Sequence, residues 1–277
     1  MEHTPAKKNL GLLLVFILIT ACSSAGGSST QPALATATLA ASTNTETPSQ
    51  AVEPTTSGES TLAAPSASCA NPYYPVREGS TWTYQSTGSP AGNYSFTDTI
   101  TALRPDGYTL TSKFDTLTRT QEWACKPEGL VALQLGGGAL TSQNLKLEVE
   151  TQNTSGVSYP ANIAMGDQWD YALDFTGKMD LAGSSGEAKG NDKSHFTALG
   201  IESVTVPAGT FNALKVQVDT TLDISVTIQG LTVPVTFSSS YIYWFVQDTG
   251  WVKASGSGSI GGEAFAETIE MQWYNLP

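Results

Sequence analysis

From about residue 80 to the C terminus, apolar and polar side chains alternate with a period of two in run after run, and no stretch repeats apolar residues at helical spacing. Leu222, Ile224, Val226 and Ile228 alternate with Asp223, Ser225 and Thr227; beyond Gln229-Gly230, Leu231, Val233, Val235 and Phe237 alternate with Thr232, Pro234 and Thr236. A hairpin with one buried face accounts for this pattern. Pro234 has no N–H to give to a ladder, so its strand is expected at a sheet edge or at a bulge. The alternation recurs in Tyr94, Phe96, Ile100; in Leu145, Leu147, Val149; in Trp169, Tyr171, Leu173, Phe175; and in Phe265, Ile269, Met271, Trp273. Pro105-Asp106-Gly107, Gly136-Gly137-Gly138, Pro207-Ala208-Gly209 and Asp248-Thr249-Gly250 separate the runs with residues that reverse a chain at low steric cost. The expected fold is all-β, an antiparallel barrel or half-barrel-like sheet with little helix, and a β-sandwich is the alternative.

Tyr241-Ile242-Tyr243-Trp244-Phe245-Val246 is apolar or aromatic on both faces, so this strand is expected to be covered on both sides. Either other segments pack on its outer face, or its aromatic face, with Tyr243 and Phe245, lines an apolar cavity. A weak internal echo links YPVREGSTWTY, with Pro75, Gly79, Trp82 and Tyr84, to YPANIAMGDQWDY, with Pro160, Gly166, Trp169 and Tyr171. Each reads as a loop entering a strand, with a glycine to permit the turn and two aromatic rings on one face. Two similar halves would explain the echo.

Ahead of these strands lie two segments of different character. Lys7 and Lys8 precede the apolar run Gly11 to Ile19, which is too short to span a membrane and ends in Ile19-Thr20-Ala21-Cys22. This is the pattern of a lipoprotein signal peptide over residues 1–21, and its resemblance to bacterial lipoproteins makes Cys22 the lipidated first residue of the mature chain. Residues 22–68 then hold 19 Ser and Thr after Cys22, with Pro32, Pro48, Pro54 and Pro65 and no aromatic side chain, Lys or Arg. Such a segment buries too little apolar surface to offset its ordering entropy and reads as a disordered tether, spanning about 35 to 40 Å as a flexible coil. Residues 69–277 form one β-rich domain. With Cys22 acylated, Cys69 and Cys125 remain, and outside the cytoplasm such a pair is expected to form a disulfide.

The mature chain carries 11 Lys and Arg against 24 Asp and Glu. That balance argues against nucleic acid as a partner, which would need a basic patch. No calcium-loop spacing of Asp and Asn is present, and no metal or other cofactor is expected. His195 is the one histidine of the mature chain and lies in the polar stretch GNDKSHF, where it reads as solvated. No GxSxG elbow, HExxH pair or phosphate loop occurs, and Asp170 and Asp174, four apart on one strand face, do not make a glycosidase without a fold to join them. No catalytic residue is assigned, and the chain is expected not to be an enzyme.

CANPYYPVREGSTWTY, EWACKPEGLVAL around Cys125, SVTVPAGTFNALKVQV and YWFVQDTGWVKAS together resemble the TapB-like family of bacterial extracytoplasmic lipoproteins, over about residues 69–256. VPAGTFNALKV is the most specific piece: Pro207 and Gly209 form its turn, Phe211 re-enters the core, and Leu214, Val216 and Val218 line one face of the returning strand. The chain departs from the family at Gln247-Asp248-Thr249, where Pro-Gly is more usual, and at Trp251, where a smaller apolar residue is common. The resemblance implies a barrel-like antiparallel sheet and a non-enzymatic role. The resulting expectation is a binding module, anchored to the bacterial cell membrane through Cys22 and facing the extracytoplasmic side. Its ligand is expected to be lipid-like or otherwise apolar, with Phe211, Tyr243 and Phe245 as candidate contacts. The alternative is a structural or interaction module displayed on its stalk for surface assembly or adhesion, with a cell-surface protein as partner.

Overall fold

The computed structural model describes residues 69–89, 92–135, 139–141, 145–181, 184–260 and 262–277. The signal peptide, Cys22, the tether and Gly136 to Gly138 lie outside the described residues, as do the side chains of Leu145 and Leu147. Fourteen strands follow in chain order: β1 Thr81–Thr87, β2 Tyr94–Arg104, β3 Gly107–Phe114, β4 Thr118–Lys126, β5 Gly129–Ala132, β6 Ala139–Thr141 and β7 Leu145–Gly156. Then come β8 Tyr159–Pro160, β9 Gln168–Leu181, β10 Ser184–Val206, β11 Gly209–Ile228, β12 Leu231–Val246, β13 Gly250–Ile260 and β14 Glu263–Asn275. No α-helix occurs among the described residues.

All strands join one antiparallel sheet in the order β3-β2-β1-β14-β13-β12-β11-β10-β9-β7-β6-β4-β5-β8. Because β3 also pairs with β4, the order returns on itself and the sheet is barrel-like, which removes most free strand edges. The sandwich alternative is not what forms.

Alternation in the sequence becomes alternation in burial. Trp82, Tyr84 and Ser86 of β1 point inward and are buried, and Leu214, Val216 and Val218 do the same on β11. Trp273 is a correction: expected in phase with Met271, it is 55% exposed. A β-bulge opposite Thr83 and Tyr84 inserts one residue into β14, which turns Trp273 outward. Pro234 sits where expected, since β12 meets β13 only from Phe237 onward and is an edge at Pro234.

One end of the barrel is plugged by the chain that enters it. Cys69 is bonded to Cys125 of β4, and behind it Tyr73, Tyr74 and Val76 are buried. The Tyr74 ring lies among those of Trp82, Tyr108, Trp123 and Tyr159, with centroids 5.3 to 6.0 Å away. Polar ties hold this plug: Asn71 Nδ2 donates to the Pro160 carbonyl at 2.9 Å, Asp248 N–H to the Pro72 carbonyl at 2.8 Å, and Trp82 Nε1 to the Thr249 carbonyl at 2.6 Å. Gln247-Asp248-Thr249 still makes its turn, with Asp248 in the left-handed region at φ 55°. The repeated loops each place a left-handed glycine, Gly79 at φ 81° and Gly166 at φ 90°, shortly before the tryptophan that opens the strand.

Candidate functional site

On β9 to β14 the inward-facing residues are not uniformly apolar. Tyr171, Ser194, Thr220, Ser239, Gly258 and Phe265 are successive partners in one row across six strands. They line a groove of about 820 Å³ together with the residues that flank them, Asp170, Lys193, His195 and Asp219 among these. Its volume falls within the usual range of small-molecule sites.

Glycines shape this wall by letting rings lie across them. A Cβ at Gly256 would meet the Ser240 carbonyl oxygen at 2.2 Å and Tyr241 Cγ at 2.7 Å. The Tyr241 ring therefore crosses β13 and its hydroxyl reaches Glu267 on β14, with an O···O distance of 2.9 Å. Phe265 covers Gly258 in the same way and stacks on Phe237 at 6.0 Å, while Phe175 lies over Gly190. Beyond the groove the inner face is apolar: Leu222, Ile224, Val226, Val235 and Phe237 are half-buried and Val233 is exposed. Strands β10, β11 and β12 run for 23, 20 and 16 residues against 7 for β1 and 8 for β3, so this wall carries inward-facing surface that the short side does not match.

Glu267 borders the groove one row away from Phe265. Ser86 Oγ and Tyr94 Oη both donate to its Oε1, the latter at 2.8 Å, and Tyr241 donates to Oε2. Burial, then the hydrogen bond to Glu267, pushes the Tyr94 phenol up to about 12, and the same two causes raise Tyr241. Both remain protonated donors at neutral pH. Across the Phe114 ring, 5.9 Å from Tyr94, the Arg119 guanidinium sits 5.3 Å from the Phe114 centroid. Among the described residues Arg119 has no carboxylate within ion-pair distance; its one polar contact is Ser112 Oγ at 3.5 Å. Two inward carboxyls complete the electrostatics. Burial raises Asp98 and Asp192 to about 6 each, and each has a buried Oδ1 with no hydrogen-bond partner.

Of the residues singled out in the sequence, Tyr243 and Phe245 do face inward, stacked on each other at 5.9 Å, but Phe245 packs into the plug against Tyr159 and neither lines the groove. Phe211 lies at the β10–β11 turn with its ring against Tyr274 at 6.4 Å, away from the groove. On the outer side of the same strand, Trp244 Nε1 donates to Glu202 at 2.7 Å and Lys253 lies 5.8 Å over the Trp244 ring, so charged side chains cover that face. His195 pairs with Asp170 at 2.8 Å, both exposed and both among the residues that line the groove, and Asp174 accepts a hydrogen bond from Asn191 instead of approaching Asp170.

Glu267 was missed, although a signal existed: it is in phase with Phe265, Ile269 and Met271, an acid on an inward period-two row. Gly256 and Gly258 are likewise in phase with Val252 and Ala254.

No family model and no curated protein matches the chain. Among solved structures, an exported protein with a YmcC-like fold from Bacteroides fragilis is similar, at 12% identity and a TM-score of 0.42, over 75% of this chain and 100% of that one. A lipoprotein from Parabacteroides distasonis is similar at 14% identity and a TM-score of 0.40, over 75% and 99%. The hypothetical lipoprotein YmcC of Escherichia coli is similar at 12% identity and a TM-score of 0.32, over 72% and 85%.

Proposed function

We propose that this protein is a lipid-anchored extracytoplasmic binding module that takes an amphipathic small molecule into the inner-face groove. The observation that carries the reading is the groove itself: about 820 Å³ on a wall of half-buried apolar side chains, one row away from the polar cluster at Glu267. A plain core would fill such a row with large side chains, whereas this one narrows to Ser194, Thr220, Ser239 and Gly258. Burying the tail of a ligand on the wall would remove apolar surface from water, at about 25 cal/mol per Å². The lipobox at Cys22 and the Cys69–Cys125 bridge both support a location outside the cytoplasm.

Native mass spectrometry of the exported Cys22→Ala chain tests the binding role, because a chain without its own lipid needs no detergent. A co-purifying apolar mass, displaced by an added single-chain amphiphile, is the expected result. Absence of any adduct together with no uptake of added amphiphile would overturn it. The same variant tests the anchor, since it should leave the membrane fraction.

A further inference from the structure

Resting on that reading, we infer that the amphiphile has a zwitterionic head with a primary ammonium, taken by Glu267, and an anionic group, taken by Arg119. A carboxylate has about four lone-pair positions, and three of those on Glu267 are filled by Ser86, Tyr94 and Tyr241. One position on Oε2 stays open to a further donor. Each hydroxyl spends its only proton on Glu267, so what these three groups still offer to the groove is acceptor lone pairs. The cluster is therefore an acceptor surface carrying a negative charge. Nearby in the groove wall, Ser194 and Thr220 are bonded to each other at 2.9 Å, and one row further Asp192 adds a second acid. Lys193 and His195 also line the groove beside that row, and His195 is paired with Asp170 there.

A ligand that matches this surface brings N–H donors and positive charge. A hydroxyl head supplies donors without charge, and a quaternary ammonium supplies charge without donors; a primary ammonium supplies both. Arg119 adds the second half. It is half-buried, faces inward, rests on the Phe114 ring and has no carboxylate within ion-pair distance among the described residues, Asp98 feeling its charge from further off. The chain Arg119, Phe114, Tyr94, Glu267 places the unpaired cation and the acceptor cluster on one inner surface, two ring contacts apart. A lone cationic head would meet repulsion from Arg119, and a lone anionic head would meet Glu267 and Asp192. A head with both charges is favoured by each. The tail then runs over Phe265, Phe237, Leu222 and Ile224.

Titration of the Cys22→Ala chain with lysophosphatidylethanolamine, lysophosphatidylcholine and lysophosphatidic acid of equal chain length separates these terms. Lysophosphatidylethanolamine should bind at least about tenfold more tightly than lysophosphatidylcholine, whose three methyl groups replace the donors. It should also bind more tightly than lysophosphatidic acid, which lacks the ammonium. Glu267→Gln should erase the preference over lysophosphatidylcholine, and Arg119→Gln should weaken the phosphate-bearing ligands while leaving dodecylamine unweakened. Should Glu267→Gln fail to fold, Tyr241→Phe serves: it frees a lone pair on Glu267, so the preference should persist, and its loss would count against the assignment. Equal binding of all three heads would overturn the head assignment and leave the binding module standing. Failure of every amphiphile to bind would overturn both.

Discussion

Tyr84 and Trp251 lie face to face, with ring centroids 3.8 Å apart and planes 4° from parallel, and the Tyr84 hydroxyl donates to the Trp251 carbonyl at 3.0 Å. They belong to β1 and β13, two strands removed from each other in the sheet with β14 between them. The contact therefore ties the first strand of the barrel to the hairpin that ends it. It also gives the Trp251 ring its surroundings: Tyr84, Phe96 and Tyr243 all reach it.

Trp251→Leu should lower stability by about 1 to 3 kcal/mol, and Trp251→Ala by about 3 to 5 kcal/mol, as the stack and its buried area are lost. Urea unfolding followed by circular dichroism measures this. An unchanged midpoint for Trp251→Ala would mean that the stack contributes nothing to closing the sheet.

The strands were legible in the sequence because a period of two survives wherever one face is buried, and the β11–β12 hairpin follows its alternation residue by residue, with Ile228 opposite Leu231. A barrel-like sheet was expected from the number of strands, but the pairs that close it were not legible. Closure depends on the pairing of β1 with β14, nearly the whole domain apart, and on β3 pairing with β4 as well as β2. Local patterns carry no information about such partners. Phe211 does pack on the core, against Tyr274 and on the face of its buried cross-strand partner Val204. Trp273 illustrates a second limit, because the bulge opposite Thr83 and Tyr84 turns it out of the row of Ile269 and Met271. A bulge changes facing without changing composition.

The glycine under Tyr241 makes a sharper test of the groove wall. Gly256→Ala places a methyl 2.2 Å from the Ser240 carbonyl oxygen and against the Tyr241 ring, so β12 and β13 must separate locally. A loss of about 1 to 3 kcal/mol is expected, as for overpacking elsewhere. Tyr241 should also lose its reach to Glu267, which the Tyr241 phenol reports through a lower titration midpoint by ultraviolet absorbance in the variant, because the hydrogen bond to Glu267 is one of the causes that raise it.

The Cys69–Cys125 bridge spans a sequence separation of 56 residues and joins the plug to β4. In the chain-entropy model such a loop stabilises the native state by about 4 kcal/mol. Reduction should therefore lower the thermal midpoint, and Cys69→Ala/Cys125→Ala should match the reduced protein. Intact-mass analysis after alkylation under denaturing, non-reducing conditions should find neither cysteine labelled in the oxidised chain.

Asp98 gives the protein a pH dependence of definite sign. It lies inside the barrel between Trp82 and Ser112 in the ladder, fully buried, and desolvation raises it from 3.8 to about 6; the Ser112 hydrogen bond and the Arg119 charge act in the opposite direction and hold it from rising further. Between pH 4 and 6 the folded chain keeps a proton on Asp98 that the unfolded chain has lost. Protonation therefore contributes stability that is fully present below the unfolded value and disappears as the pH rises through 6, about 3 kcal/mol in all. Asp98→Asn, neutral at every pH, should remove this dependence. Relative to the parent chain, the variant should gain stability steadily as the pH goes from 4 to 7. Denaturant unfolding of both proteins at pH 4, 5, 6 and 7 reads the difference directly, and a difference that stays constant over that range would show that Asp98 ionises as readily in the fold as in the unfolded chain.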